Sequence, residues 1–95
     1  DREWSVVLVG AGDLGSALAN YQGFVDRGFR IACVFDNAPD KVGRSLGEFT
    51  IQPMTQLASV VKEQQIRIAM IAVPAGQAQS VADALVDAGI LAILN

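Results

Sequence analysis

Histidine is absent from the 95 residues, and cysteine occurs once, at Cys33. Without an imidazole, neither a Ser–His nor a Cys–His nucleophile pair can be assembled from this chain. A single thiol excludes an internal disulfide and fits a reducing, cytoplasmic setting. Runs of lysine or arginine are missing too: seven basic residues stand against ten acidic ones, for a formal net charge of −3. That balance offers no basic surface to nucleic acid. The longest apolar stretches, such as Ile68 to Pro74, are strand-length, far below the ~20 residues that cross a membrane. The opening residues Asp1-Arg2-Glu3-Trp4 do not read as a signal peptide. Internal repeats and low-complexity linkers are lacking. The acids Asp26, Asp40, Glu48, Glu63, Asp83 and Asp87 are expected in loops or on outer helix faces, so neither a catalytic carboxylate pair nor a metal site is suggested. Cys33 reads as a small buried hydrophobe in mid-strand.

What is present is 52% hydrophobic and 18% charged, which describes one compact domain at the small end of the usual range. It is too short for a complete two-domain dehydrogenase. The chain is organised around Val6-Val7-Leu8-Val9-Gly10-Ala11-Gly12-Asp13-Leu14-Gly15. An apolar, largely β-branched run feeds into G-x-G-x-x-G. Leu14, Leu18, Tyr21 and Val25 then recur at helical spacing. A second apolar strand, Ile31-Ala32-Cys33-Val34-Phe35, ends on Asp36. Strand, glycine turn, helix, strand and a terminal acid about 20 residues on make the full dinucleotide fingerprint. Gly10 permits the tight turn off the strand. Gly12, with no side chain, lets backbone approach a pyrophosphate. Gly15 allows close packing of the helix, whose N-terminus offers unpaired N–H groups to phosphate. Asp36 is placed to accept hydrogen bonds from the adenine ribose hydroxyls.

Along the chain, Trp4 is expected to cover the end of the first strand, 5–9, whose continuous apolar character requires burial on both faces. The following helix is expected to end near Tyr21 or Gln22, because Gly23 costs about 1 kcal/mol in a helix interior. A second strand spans 30–36, and residues 37–43 form a turn. A weak edge strand is expected over 48–52. Thr55 looks like the N-cap of a helix reaching Gln65, with Leu57, Val60 and Val61 inward. A strand lies within 66–73. Pro74 is suited to the first turn of a helix over 75–88, which buries Val81, Ala84, Leu85 and Ala88 and stops at Gly89. A last strand covers 90–94. Five alternations of strand and helix predict an α/β, doubly wound parallel sheet of Rossmann type, order 3-2-1-4-5. Its ligand crevice lies where the strand order reverses. Val73, Pro74 and Ala75 belong to that crevice together with Gly10, Ala11, Gly12, Asp13, Leu14 and Gly15.

These residues resemble the Rex family of redox-sensing transcriptional repressors over nearly all 95 positions. The resemblance rests on Val9-Gly10-Ala11-Gly12-Asp13-Leu14-Gly15-Ser16-Ala17-Leu18 with Asn20-Tyr21, on Phe35-Asp36 with Lys41-Val42-Gly43, on Val73-Pro74-Ala75 with Ala78-Gln79, and on Gly89-Ile90-Leu91-Ala92-Ile93-Leu94-Asn95. It implies a central NAD(H)-binding domain, flanked in the longer protein by a winged-helix DNA-binding domain and by a C-terminal helix exchanged in a homodimer. NADH binding would release operator DNA, and no hydride would be transferred. Gly10 to Gly15 would hold the pyrophosphate and Asp36 the adenosine ribose. Val73, Pro74 and Ala75 would line the crevice, and Tyr21 would lie near the nicotinamide and the partner subunit. Family members often carry Asn or Arg where this chain has Asp13, so that acid is expected to oppose the phosphates. Two other readings stay open: the cofactor-binding half of an NAD-dependent oxidoreductase, and a CoA-binding module similar to that of acyl-CoA synthetases.

Overall fold

The computed structural model describes residues 3–12, 15, 17 and 22–94. Its elements are β1 (Trp4–Val9), α1 (Gln22–Asp26), β2 (Phe29–Asp36), β3 (Ser45–Leu46), β4 (Phe49–Thr50), β5 (Gln52–Pro53), a 3-10 turn (Met54–Gln56), α2 (Leu57–Gln64), β6 (Ile68–Ile71), α3 (Ala75–Asp87) and β7 (Ala92–Leu94). Five strands form one sheet in the order β5-β2-β1-β6-β7, and every pair in it is parallel. This is the expected doubly wound order, with β5, β6 and β7 as its third, fourth and fifth strands. The direction of winding reverses between β1 and β6.

Successive side chains of β1 point to opposite faces, and both faces are buried. Val7 and Val9 join Cys33, Phe35, Ala69 and Ile71 against Leu57 and Val61 of α2 and Val81 and Leu85 of α3. Val6 and Leu8 join Ile31, Val34 and Ile51 on the other face. Ile31 and Val34 share a face despite their odd spacing. The register explains it: Val6 pairs with Ile31 but Val7 with Cys33, so Ala32 is the extra residue of a bulge that resets the alternation. Phe35 and Leu8 are fully buried, and each such side chain contributes roughly 1.5–3 kcal/mol of transfer free energy.

Several local expectations are corrected. α1 runs on through Gly23 to Asp26. The turn comes at Gly28, whose φ is +86° and whose N–H donates to the Val25 carbonyl at 3.0 Å. The edge strand expected over 48–52 is instead a hairpin followed by a separate strand. Gly47, at φ +61°, turns β3 onto β4, so that Leu46 opposes Phe49, and Gln52–Pro53 then pairs with Phe35–Asp36. Pro53 is accommodated because it lies on the outermost strand, where a missing N–H breaks no ladder. Thr55 caps nothing: it lies inside the 3-10 turn, and α2 begins without a side-chain cap. Pro74 occupies the cap position, extended at φ −56° and ψ 148°, rather than the first turn of α3. Trp4 is the first residue of β1 and stays 53% exposed, so it does not seal the strand end.

α3 ends as expected at Gly89, with φ +103°. The Gly89 N–H donates to Val86 and the Ile90 N–H to Leu85, the paired bonds of a Schellman motif. Ile90 and Leu85 both sit in the core, so the motif also carries the apolar contact that usually accompanies it. No helix of the described residues is long and apolar enough to cross a membrane.

Candidate functional site

The C-terminal ends of β1, β2 and β6 converge at the switch point. Beyond Val9, the Gly10 N–H donates to the Phe35 carbonyl and the Ala72 N–H to the Val9 carbonyl, each at 2.8 Å. The strands therefore stay tied together up to the point where the chain turns. Gly10 turns at φ +114°, and a Cβ there would run into the carbonyl of Ala72. A Cβ on Gly15 would fall on the carbonyl oxygen of Gly10. Both glycines are thus required by the approach of one backbone to another. Gly12 differs: a Cβ added there meets nothing within 4 Å. Its open side faces a cavity, so the absent side chain leaves room for a ligand rather than for the protein.

Asp36 closes the turn. Its Oδ2 accepts the Ala11 N–H at 2.8 Å and its Oδ1 accepts the Ala38 N–H at 2.9 Å. One carboxylate thereby links the glycine turn to the loop after β2. Both oxygens keep further acceptor capacity, enough to take hydrogen bonds from a pair of hydroxyls.

A cavity of about 470 Å³ opens over these groups, within the range usual for small-molecule sites. Gly10, Gly12 and Asp36 form one wall, Asn37, Ala38 and Lys41 a second, and Ala72, Val73, Pro74 and Gln77 a third. The third wall includes the start of α3, which carries no acidic residue in its first turn. The positive end of that helix dipole is therefore uncompensated. Together the walls offer open backbone for an anion, a fixed carboxylate for hydroxyl donors, and one cation. That donor set fits the pyrophosphate and ribose of a dinucleotide.

Of the residues singled out in the sequence, Gly10, Gly12, Asp36, Val73 and Pro74 line this cavity. Ala11 serves through its backbone N–H, its side chain being buried. Gly15 lies beneath the turn against Gly10. Ala75 opens α3 but is not part of the lining, which α3 joins through Gln77. Asp13, Leu14 and Tyr21 lie outside the described residues. Asn37, Ala38, Lys41, Ala72 and Gln77 complete the lining without standing among the expected site residues. The signal for Gln77 was its place in the first turn of a helix that starts at the switch point, with its N–H bonded to the Pro74 carbonyl at 2.9 Å.

Among the described residues, no serine, threonine, tyrosine or cysteine lines the cavity. Cys33 is 4% exposed within β2. Burial pushes its thiol up to about 11, only partly opposed by Arg30, so it is protonated at neutral pH and inert. Among the described residues, no group of three acidic, cysteine or histidine side chains could hold a metal ion.

The whole chain, residues 1–95, matches the family model described as CoA binding domain. A redox-sensing transcriptional repressor Rex from Carboxydothermus hydrogenoformans is 51% identical over 95 residues, which cover 100% of this chain and 46% of that protein. The Rex repressor of Desulforamulus reducens is 50% identical over 92 residues, 97% of this chain and 44% of that one. The chain thus spans less than half the length of these relatives. Among solved structures, RSP in complex with beta-NADH is similar with a TM-score of 0.88 and 33% identity, covering 98% of this chain and 45% of RSP. RSP in complex with beta-NAD+ and operator DNA gives a TM-score of 0.89 at the same identity, covering 98% and 43%.

Proposed function

The chain belongs to the CoA-binding-domain family, and from that premise we propose that it is the NAD(H)-binding sensor domain of a Rex-type redox-sensing transcriptional repressor. The observation that carries the reading is the Asp36 carboxylate, fixed between the N–H groups of Ala11 and Ala38 beside the unobstructed face of Gly12. A dinucleotide needs those two features side by side: an acceptor for the adenosine ribose diol, and bare backbone for the pyrophosphate. The relatives at about half identity are Rex repressors, and RSP binds beta-NADH and beta-NAD+.

In this reading the turn from Gly10 to Gly15, with Ala11 and Leu14, cradles the pyrophosphate, and Asp13 within it opposes the phosphates. Asp36 holds the ribose. Val73 and Pro74, with Ala75 behind them, carry the cofactor across the switch point towards Tyr21 and the partner subunit. The cofactor supplies the redox state that is read, and the chain's own residues only bind and orient it. With no histidine in the sequence, a protonated Cys33 and both Asp36 oxygens held by backbone N–H groups, the domain is read as a sensor rather than an enzyme. A winged-helix domain before it and an exchanged helix after it would complete a homodimer that binds operator DNA with NAD+ and lets go with NADH. Cytoplasmic placement follows from that role.

Titration calorimetry of the chain with NADH and with CoA tests the assignment. NADH is expected to bind and CoA to bind more weakly or not at all, because the pantetheine arm has no second ribose to cross the switch point. CoA binding without NADH binding would overturn the proposal in favour of a CoA-binding module.

A further inference from the structure

Resting on the dinucleotide reading of this cavity, we propose that Lys41 is a specificity-determining residue, the cation that partly offsets Asp36 when the adenosine ribose bears a phosphate. Asp36 alone would set a carboxylate against a phosphate on that ribose and reject it by charge repulsion. The structure adds a cation to the same cavity. Among the described basic residues, Lys41 is the one that lines it.

Backbone bonds, not chance exposure, hold Lys41 there. Asp36 Oδ1 accepts the Ala38 N–H. The Ala38 carbonyl in turn accepts the N–H groups of Lys41 at 2.9 Å and Val42 at 3.1 Å. The Gly43 N–H then donates to Ile51 at 2.8 Å, anchoring the far end of the loop. Asp36 and Lys41 are thus two ends of one bonded loop, and both residues line the same cavity. Among the described residues, no hydrogen bond or ion pair engages the Lys41 ammonium. Arg44, the next cation along, instead donates to the Asp40 carbonyl at the exposed surface. Lys41 lines the cavity with none of the described carboxylates paired to it.

The consequence is a graded discrimination. A free ribose diol binds through Asp36 and owes little to Lys41. A 2′-phosphate is opposed by Asp36 and attracted by Lys41, so the preference for NADH over NADPH is smaller than the carboxylate alone would impose.

Calorimetric titration of the chain and of Lys41→Gln and Lys41→Arg with NADH and NADPH tests this. Lys41→Gln should raise the ratio of the NADPH to the NADH dissociation constant by about threefold or more at low salt, as befits one partly solvated charge pair. Lys41→Arg should keep the parental ratio. An unchanged ratio in Lys41→Gln, an equal loss for both cofactors, or NADPH binding too weak to detect in the parent would overturn the role of Lys41 while leaving the site intact. Absence of NADH binding to the parent chain would overturn the dinucleotide reading itself.

Discussion

At the scale of single residues, the three glycines of the turn separate by what their missing side chains make room for. A Cβ on Gly10 or Gly15 collides with protein backbone, and one on Gly12 meets nothing. Gly12→Ala is therefore expected to leave the thermal stability of the ligand-free domain within about 0.5 kcal/mol of the parent, yet to weaken NADH about tenfold or more by placing a methyl where the pyrophosphate must come close. Thermal unfolding read alongside calorimetry checks both halves. A large loss of stability would mean that Gly12 serves the fold instead. Cys33 gives a second prediction. Its folded thiol ionises near 11 against an ordinary 9.0. An unfolded thiol thus loses its proton first as pH rises, and stability falls between about pH 9 and 11 while being unaffected below. The loss is on the order of 2–3 kcal/mol. Cys33→Ser or Cys33→Ala should flatten that part of the stability–pH curve, measured by urea unfolding. Much of this scale was legible beforehand. Gly10, Gly12, Gly15 and Asp36 stand at spacings that a phosphate-binding turn imposes mechanically. Lys41 and Gln77 were not assignable to the cavity, because loops and a helix start bring them there and no periodicity reports on that.

At the scale of elements, long ones with strong periods were readable and short ones were not. β1, β2 and α3 declare themselves through many apolar positions. The hairpin of β3 and β4 has two residues per strand, too few to show a period, and only Gly47 hinted at a turn. α1 outlasts the end that Gly23 suggests, because a propensity cost of about 1 kcal/mol yields to the stronger stop at Gly28 five residues on. α3 shows the opposite case, where the stop residue and the conformation agree. Gly89→Ala forces a Cβ into φ +103° and should destabilise the domain by roughly 1–2 kcal/mol. NADH affinity should be untouched, since the motif lies at the far end of α3 from the cavity. A melting temperature unchanged from the parent would show that the Schellman motif contributes little.

At the scale of the whole molecule, the parallel sheet brings three separated pieces of sequence to one crevice. The glycine turn follows β1, Asp36 and its loop follow β2, and Val73 and Pro74 follow β6. The central claim is that a dinucleotide binds across these three. Amide chemical shifts of the isotope-labelled chain during NADH titration test it most directly. The account predicts the largest changes at Gly10, Ala11, Gly12 and Ala38, whose N–H groups belong to the turn and to the Asp36 bonds. It predicts little change at the small apolar hollow lined by Val6, Phe29, Ile31, Met70 and Leu94 on one face of the sheet. Changes centred on that hollow, or none with NADH in large excess, would contradict it.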